Sequence, residues 1–204
     1  MGAVVSLDTL LADRRLWRGQ PTPRPAGNEP SGHAALDAAL PAGGWPEAAL
    51  VEILQAADGL GELRLVLPTL ARHTRAGREI ALVAPPYLPH PRAWQAAGVA
   101  FDRVHLVAAE PRQALWATEQ CLRAGCLSAV LCWPHKADDR ALRRLQVAAE
   151  SGQALVFAFR DARAAVNASP AALRLQVEAG QLRVLKSRGG LVRSQPLPFA
   201  PPLH

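Results

Sequence analysis

A glycine-bearing turn between a strand pattern and a helix pattern is the part of the sequence best suited to chemistry. Residues 50–70 read LVEILQAADGLGELRLVLPTL. Val51, Ile53 and Leu54 are a short apolar run typical of a buried strand, and leucine and valine then recur at helical spacing from Leu63 to Leu70. Strand, glycine turn and helix is the arrangement of a phosphate-binding P-loop. In such a loop backbone N–H groups surround the phosphates, a lysine reaches the β and γ oxygens, and a serine or threonine holds magnesium.

The turn keeps the glycines of such a loop but lacks its lysine and its hydroxyl. The residues of this degenerate loop are Gln55, Asp58, Gly59, Gly61, Glu62 and Leu63. Asp58 and Glu62 place acids where phosphate would lie, and an acid ~5 Å from a phosphate is repelled by about 3 kcal/mol at an effective dielectric of ~20. We therefore expect no nucleotide cofactor. A nucleotide-dependent regulator in which Arg64 replaces the missing lysine remains an alternative.

The elements that must position this turn alternate between strand and helix. The predicted strands are residues 48–54, 80–84, 104–107, 129–132 and 154–159. The predicted helices are residues 34–40, a helix from the glycine turn to about residue 76, and residues 92–97, 112–124 and 138–150. Repeated βα units predict an α/β fold with a mostly parallel central sheet and helices on both faces. Residues 173–178 and 182–186, with a turn at 179–181, predict a C-terminal antiparallel hairpin.

Both ends of the chain differ in character from this core. Residues 6–17 predict an amphipathic helix, whose apolar stripe consists of Leu7, Leu10, Leu11 and Trp17. The predicted organisation is an N-terminal helix within residues 1–17, a proline-rich linker at 18–31, a core at 32–194 and a proline-rich tail at 195–204. The stripe must be buried, either on its own domain or on another chain, and the sequence leaves both open.

Composition restricts the class of protein. The chain has 204 residues, half of them apolar, which suits a single domain with one substantial core. No apolar run approaches the roughly 18–20 residues that span a bilayer, and no signal segment is present, so we expect a cytoplasmic protein without a membrane partner. The formal net charge of +6 comes almost wholly from arginine, which suits nucleic acid or an acidic protein surface.

The basic residues at the end of the hairpin are the clearest charge feature. Arg183, Lys186, Arg188 and Arg193 surround a pair of glycines at 189–190. We expect Lys186 and Arg188 to contact DNA phosphate or an acidic partner. A solvated, charged edge strand that blocks aggregation is an equally good interpretation.

Other reactive side chains do not form a convincing site. Cys121, Cys126, Cys132 and His135 have no C-x-x-C spacing, so we interpret the cysteines as buried apolar residues and predict no metal. Trp45, Trp94 and Trp116 are interpreted as packing residues. Trp133 follows a central strand at the sheet edge where α/β proteins bind ligands, so it either anchors a partner or caps the sheet.

Several local runs resemble the RecA ATPase core. They are Gly32-x-x-x-Leu36-Asp37-x-Ala39-Leu40, Gly43-Gly44-x-Pro46, Val51-Glu52-Ile53, Gln113-Ala114-Leu115, Leu122-Arg123-Ala124-Gly125, Val130-Leu131, and the hairpin runs Leu173-Arg174-Leu175 and Val184-Leu185-Lys186. The resemblance implies a RecA-like three-layer sandwich. Three further runs are similar to the ImuA family within that superfamily: Leu16-Trp17-Arg18-Gly19, residues 59–65 (GLGELRL) and residues 129–134 (AVLCWP).

The resemblance also shows which ATPase parts are missing. The P-loop lysine position falls on Gly61 or Glu62, and the hydroxyl position on Glu62 or Leu63. Pro85 and Pro86 stand where the RecA family places its catalytic glutamate, and Cys132 and Trp133 stand where an aspartate assists the metal. Phosphoryl transfer depends on these groups, so we expect no catalytic residue, no cofactor and no enzyme activity.

The ImuA resemblance implies an accessory role in damage-induced translesion DNA synthesis. The implied partners are an ImuB-type polymerase paralogue and a DnaE-type error-prone polymerase, with RecA, DNA and a second copy of the chain as further candidates. The alternative is a relative of the cell division inhibitor SulA that binds the division protein FtsZ.

Overall fold

The computed structural model describes residues 29–134, 136–190 and 195–199. The predicted N-terminal helix with Leu7, Leu10, Leu11 and Trp17 lies outside these residues, as do His135, Arg193 and most of the predicted linker. Within the described residues, no helix has the length and apolar character needed to cross a bilayer.

An eight-stranded sheet forms the centre of the molecule. Its strands are β1 (Leu50–Gln55), β2 (Glu79–Val83), β3 (Val104–Val107), β4 (Leu127–Cys132), β5 (Leu155–Asp161), β6 (Leu173–Glu178), β7 (Gln181–Ser187) and β8 (Leu197–Pro198). Their order across the sheet is β3-β2-β4-β5-β1-β6-β7-β8. The pairs from β3 to β6 are parallel, and the pairs of β7 with β6 and β8 are antiparallel. The prediction of a mostly parallel sheet with a C-terminal antiparallel hairpin is therefore confirmed.

Helices cover both faces of this sheet. They are α1 (Ala34–Asp37), α2 (Glu62–Arg75), α3 (Pro91–Ala96), α4 (Ala114–Arg123) and α5 (Asp139–Gly152), with 3₁₀ turns at Phe101–Arg103 and Ala162–Val166. Helices α1, α2 and α3 share one apolar core with the sheet, and α4 and α5 share the other. Every side chain of β1 is buried, which explains why its apolar residues do not alternate regularly with polar ones.

Local sequence explains where several elements begin and end. The Asp138 side chain accepts a hydrogen bond from the Ala141 N–H at 2.7 Å and so caps α5. Gly61 precedes α2 with a φ of 96°, a left-handed conformation that glycine adopts without strain. The short strand β8 was not predicted, because it consists of Leu197 and Pro198, follows Pro196 and has no periodic pattern. Phe199, which follows it, is buried.

Two packing predictions are wrong. Cys126 was interpreted as a buried apolar residue, but it is exposed in the turn between α4 and β4. Trp116 was interpreted as a packing residue, but its side chain is 60% exposed on the outer face of α4. The helix buries the face that carries Ala114, Ala117 and Leu122, and Trp116 lies outside that stripe. Trp45 and Trp94 are buried, as expected.

The first described residue is held by a cluster of bases at the end of α2. Glu29 accepts a hydrogen bond from the buried ring of His73, and its Oε1 lies 3.6 Å from Arg72 Nη2 and 4.0 Å from Arg78 Nη2. Burial opposes ionisation of Glu29, but the His73 hydrogen bond and the neighbouring positive charges outweigh it. The pKa of the Glu29 carboxyl is therefore below its ordinary value of 4.5.

This lowered pKa predicts a specific pH dependence of stability. A carboxyl with a depressed pKa in the folded state stabilises the fold above its unfolded pKa, and the contribution is lost as the pH falls through the folded value. We expect Glu29→Gln to lower the free energy of unfolding by about 1–2 kcal/mol near neutral pH. The difference from wild type should shrink below pH 4.5 in urea titrations at stepped pH. A difference that is constant down to strong acid would contradict it, and Glu47→Gln, at an exposed acid, serves as the control.

Candidate functional site

The degenerate loop lies at the carboxyl edge of the sheet, between β1 and α2. Residues 56–59 are exposed, whereas Glu62 is buried in the first turn of α2. The Gly59 N–H donates a hydrogen bond to Glu62 Oε1 at 3.1 Å. A backbone N–H of this loop, at the start of a helix, is the kind of group that would otherwise donate to a phosphate oxygen. The chain thus supplies an internal carboxylate at the position of an external anion.

The remaining polar groups of the loop are only partly satisfied. Gln55 Nε2 donates to Asp58 Oδ1 at 2.8 Å, which fixes the side chain of Asp58 against the end of β1. Gln55 Oε1 and Glu62 Oε2 are buried, and neither has a hydrogen-bond partner among the described residues. The loop therefore has more buried acceptors than donors among the described residues, and an acceptor that is buried without a donor destabilises the fold.

An apolar groove runs along the sheet edge beside the loop. One cavity, of about 450 Å³, is lined by residues of the loop, of the segment after β2 and of α3. A second, of about 340 Å³, is lined by residues 55–58 and by the ends of β4 and β5. Asp58, Pro86 and Trp133 line both cavities, so the two form one groove. We call this the edge groove.

Part of the floor and part of the rim of the edge groove are aromatic or apolar. Trp133 stacks on Phe159, with ring centroids 4.9 Å apart and an interplanar angle of 14°. On the rim, Tyr87 is 72% exposed and Leu88 is 82% exposed. Adjacent exposed apolar side chains beside a cavity are typical of a surface that contacts another molecule.

The structure brings together the four positions at which the ATPase resemblance fails. Pro85 and Pro86 follow β2, Trp133 follows β4, and Glu62 starts α2, and all four line the larger cavity. Cys132 lies just behind them, fully buried, and burial raises the pKa of its thiol to about 12. The thiol therefore stays protonated at neutral pH.

A buried ionic cluster lies next to the edge groove. Glu52 in β1 is fully buried, and its carboxylate pairs with Arg160 in β5 and Arg174 in β6. Arg174 Nε and Glu52 Oε2 are 2.8 Å apart, although their mutual orientation is that of an ion pair rather than a hydrogen bond. Arg160 Nη2 also donates to the Ala137 carbonyl at 2.8 Å. Arg160 lines the groove and shares the Glu52 carboxylate with Arg174, so the cluster of two arginines and one glutamate has a net charge of +1.

The basic residues of the hairpin do not line the edge groove. Lys186 Nζ donates to the Ser169 carbonyl at 2.6 Å, and burial together with Arg188 and Arg174 lowers the pKa of this amine. Arg183 Nε lies 3.3 Å from a carboxylate oxygen of Glu178. Arg188 Nη1 lies 3.7 Å from a carboxylate oxygen of Glu150. Each of these three bases therefore has an internal partner.

Sequence reasoning found part of this groove and missed the rest. It identified the loop and Trp133, but not Tyr87, Leu88 or Asp161. Prolines stand at 85, 86 and 89 around Tyr87 and Leu88. A proline-bounded pair of large apolar residues cannot continue a strand, and this signal could have indicated an exposed apolar loop. Among the described residues, no three His, Cys, Asp or Glu side chains are grouped so as to hold a metal ion.

Fold and site together define a mixed α/β protein whose phosphate-type loop is filled by its own carboxylate. Comparison with known proteins gives the family. The model of the family "Cell division inhibitor SulA" matches residues 50–156, more than half of the 204 residues. The chain belongs to the SulA family.

One solved structure illustrates the extent of the similarity. The crystal structure of SulA from Pseudomonas aeruginosa is 27% identical and covers 54% of this chain and 96% of its own, with a TM-score of 0.46. None of the curated proteins matches the chain. The residues matched by the family model extend from β1 to the start of β5, so β6, β7 and β8 lie beyond them.

Proposed function

We propose that this protein is a non-catalytic member of the SulA family that acts in the DNA damage response by binding other proteins. The observation that carries the proposal is the Glu62 carboxylate, which accepts the Gly59 N–H and so fills the loop with an internal anion. An incoming phosphate would have to displace a group that is covalently part of the chain, and it would meet Asp58 as well. The edge groove offers apolar surface in place of a nucleotide site.

The absence of a nucleotide site is directly testable. Titration calorimetry with ATP and magnesium is expected to show no binding in the micromolar range, because the loop has two acids and no lysine. The Arg64→Ala variant is the matched control for a regulator in which Arg64 replaces the lysine. Saturable binding by wild type that the variant loses would overturn the proposal.

The first candidate partner is FtsZ. The family model that identifies the chain is that of a cell division inhibitor, and its match includes β1, the loop, β2, α3 and β4, which together build most of the edge groove. In this function the protein would bind FtsZ in the cytoplasm and halt division while DNA is repaired.

Division inhibition predicts a measurable effect on purified FtsZ. Wild type is expected to suppress FtsZ GTPase activity, and Tyr87→Ser with Leu88→Ser should weaken suppression about tenfold, equivalent to about 1.4 kcal/mol. Leu106→Ser, at an exposed apolar residue of the edge strand β3, is the matched control and should leave suppression unchanged. Equal loss in both variants would show that the effect is not specific to the groove.

The second candidate function is an accessory role in translesion synthesis. Two of the runs similar to the ImuA family, residues 59–65 and 129–134, contribute Gly59, Glu62, Leu63 and Trp133 to one cavity. The hairpin and β8 lie outside the residues that the family model matches. They add strands to the sheet, and these strands offer a further surface to a partner. In this function the partners would be an ImuB-type polymerase paralogue, a DnaE-type polymerase and RecA, on a degenerate RecA-like core. The family match favours the first candidate over this one.

One experiment separates the two functions. Tagged wild-type chain and the Tyr87/Leu88 double variant would be recovered from damage-treated cells, and FtsZ, RecA and the polymerase subunits quantified in each. Selective loss of FtsZ from the variant supports division inhibition, whereas selective loss of the polymerase subunits supports the translesion role. Direct DNA binding would be recognised separately by an affinity that falls steeply with salt.

A further inference from the structure

We propose that the edge groove binds a protein segment that combines an apolar anchor with an arginine or lysine side chain. The inference rests on the proposed protein-binding function and specifies the chemistry of the partner. It follows from two features of the groove. Two of its buried acceptors have no donor among the described residues, and none of those residues covers its exposed apolar surface.

Two acceptor oxygens of the groove, on Glu62 and Gln55, are buried without a donor. Glu62 is 6% exposed, lines the larger cavity, and has its Oε2 buried with no hydrogen-bond partner among the described residues. Gln55 is also 6% exposed and lines the smaller cavity, and its Oε1 is likewise buried with no hydrogen-bond partner among the described residues. A buried acceptor without a donor is destabilising, and more so when it is charged. Because both oxygens are buried in the free chain, a partner's donors reach them as the Gln55 and Glu62 side chains turn toward the groove.

The charges around these acceptors favour a cationic donor. Asp58 and Asp161 are exposed acids that line the smaller cavity. Among the described lining residues the base is Arg160, which shares Glu52 with Arg174 and donates to the Ala137 carbonyl, so the two exposed acids outnumber it. An arginine side chain has five N–H donors and no acceptor, so it can serve a carboxylate and an amide oxygen together. The groove is thus an acidic site on a chain whose net charge is +6.

The apolar side of the groove supplies the anchor site. The larger cavity lies between Trp94 and Trp133, and its volume of about 450 Å³ is within the range of pockets that enclose compact ligands. Tyr87 and Leu88 extend this surface into solvent. A free cation would leave the apolar surface in water, whereas a peptide with an apolar residue near its base would cover both regions. Burial of this apolar surface by the peptide favours binding.

Peptide selection on the full chain tests the proposal. A phage library of random linear peptides would be selected against immobilised wild type, and enriched peptides would be synthesised with fluorescent labels and measured by anisotropy. We expect enriched sequences with a basic residue close to a large apolar one, and citrulline in place of arginine should weaken binding about tenfold. Binding should also weaken as salt rises, because part of it is ionic.

Variants locate the binding site on the groove. Asp58→Asn with Asp161→Asn removes two charges, and the new asparagine can still cap the turn in which Asp161 accepts the Arg163 N–H. Glu62→Gln keeps an oxygen to accept the Gly59 N–H. Each variant should weaken the peptides about tenfold, and Tyr87→Ser with Leu88→Ser should do the same. Glu47→Gln, an exposed acid before β1 at the opposite edge of the sheet, should leave binding unchanged.

The outcomes that overturn the inference are distinct from a failure of the proposed function. Enriched peptides without a basic residue, peptides insensitive to the groove variants, or no enrichment at all would overturn it. Binding of FtsZ or a polymerase subunit that persists in the same variants would show that the protein binds partners through another face. If the wild-type chain bound neither FtsZ nor a polymerase subunit nor RecA, the proposed function would instead be refuted.

Discussion

Replacement of Glu52 by alanine is expected to lower the free energy of unfolding by about 3–5 kcal/mol. Glu52 is fully buried in β1 and is the counter-ion of two arginines, Arg160 and Arg174, that are themselves almost completely buried. Without the carboxylate two guanidinium groups would share a low-dielectric site and repel each other. Urea unfolding monitored by circular dichroism measures the change, and a loss below about 1 kcal/mol would show that water enters and solvates the arginines.

A matched set of variants separates two contributions to the free energy of unfolding: the destabilisation caused by an unpaired buried charge and the net stabilisation that the intact cluster provides. Glu52→Gln keeps the shape and the acceptor oxygen but not the charge, so it should cost nearly as much as alanine if electrostatics dominates. Replacing Glu52, Arg160 and Arg174 together by apolar residues should cost much less than Glu52→Ala, because no charge is then left unpaired. Arg174 also donates to the carbonyls of Ala164 and Asn167, and those acceptors would be orphaned in the triple variant. Some loss is therefore expected even there.

The parallel sheet was predictable because the strands carry their own signature. Buried strands in a parallel sheet are short apolar runs, and glycine or proline separates most of these runs from the intervening helices. The boundaries moved only slightly: β4 begins at Leu127 rather than at residue 129, and β5 continues to Asp161. Ends shift because pairing with a neighbouring strand, rather than local propensity, decides where a strand stops.

The candidate site was predictable only where local sequence determines it. The acids of the loop indicated that phosphate would be repelled, but not that Glu62 turns inward to accept the Gly59 N–H. That hydrogen bond depends on the path of the turn, which φ values of 83° at Gly59 and 96° at Gly61 define. The ionic cluster around Glu52 joins residues more than 100 positions apart. No local pattern could pair them.

The basic hairpin shows how tertiary contacts change the interpretation of a charge run. The sequence offered Arg183, Lys186 and Arg188 as cations for DNA or an acidic partner. In the fold each has an oxygen of this chain beside it, from Glu178, Ser169 and Glu150 respectively. These contacts do not exclude an outside partner, but they reduce the free charge that the hairpin presents. In the edge groove, by contrast, Glu62 Oε2 has no hydrogen-bond partner among the described residues.

The second large effect is expected at Trp45, which joins the segment before β1 to the rest of the fold. Trp45 is fully buried, packs edge to face on Phe157 of β5 with centroids 5.2 Å apart, and donates its indole N–H to Thr69 Oγ1 of α2 at 2.8 Å. Its backbone N–H also donates to the Glu29 carbonyl at 2.8 Å. Trp45→Ala should therefore lower the free energy of unfolding by about 3–5 kcal/mol, measured by urea titration.

Trp45→Phe separates packing from hydrogen bonding at the same site. Phenylalanine retains most of the aromatic contact with Phe157 but cannot donate to Thr69, so it should cost about 1–2 kcal/mol. Thr69 would still accept from Arg72 Nη2 at 3.2 Å, which limits the loss. If Trp45→Ala cost no more than Trp45→Phe, the segment before β1 would contribute little to the core. Because Trp45 precedes the residues that the family model matches, a large difference would instead show that this segment is an integral part of the folded domain.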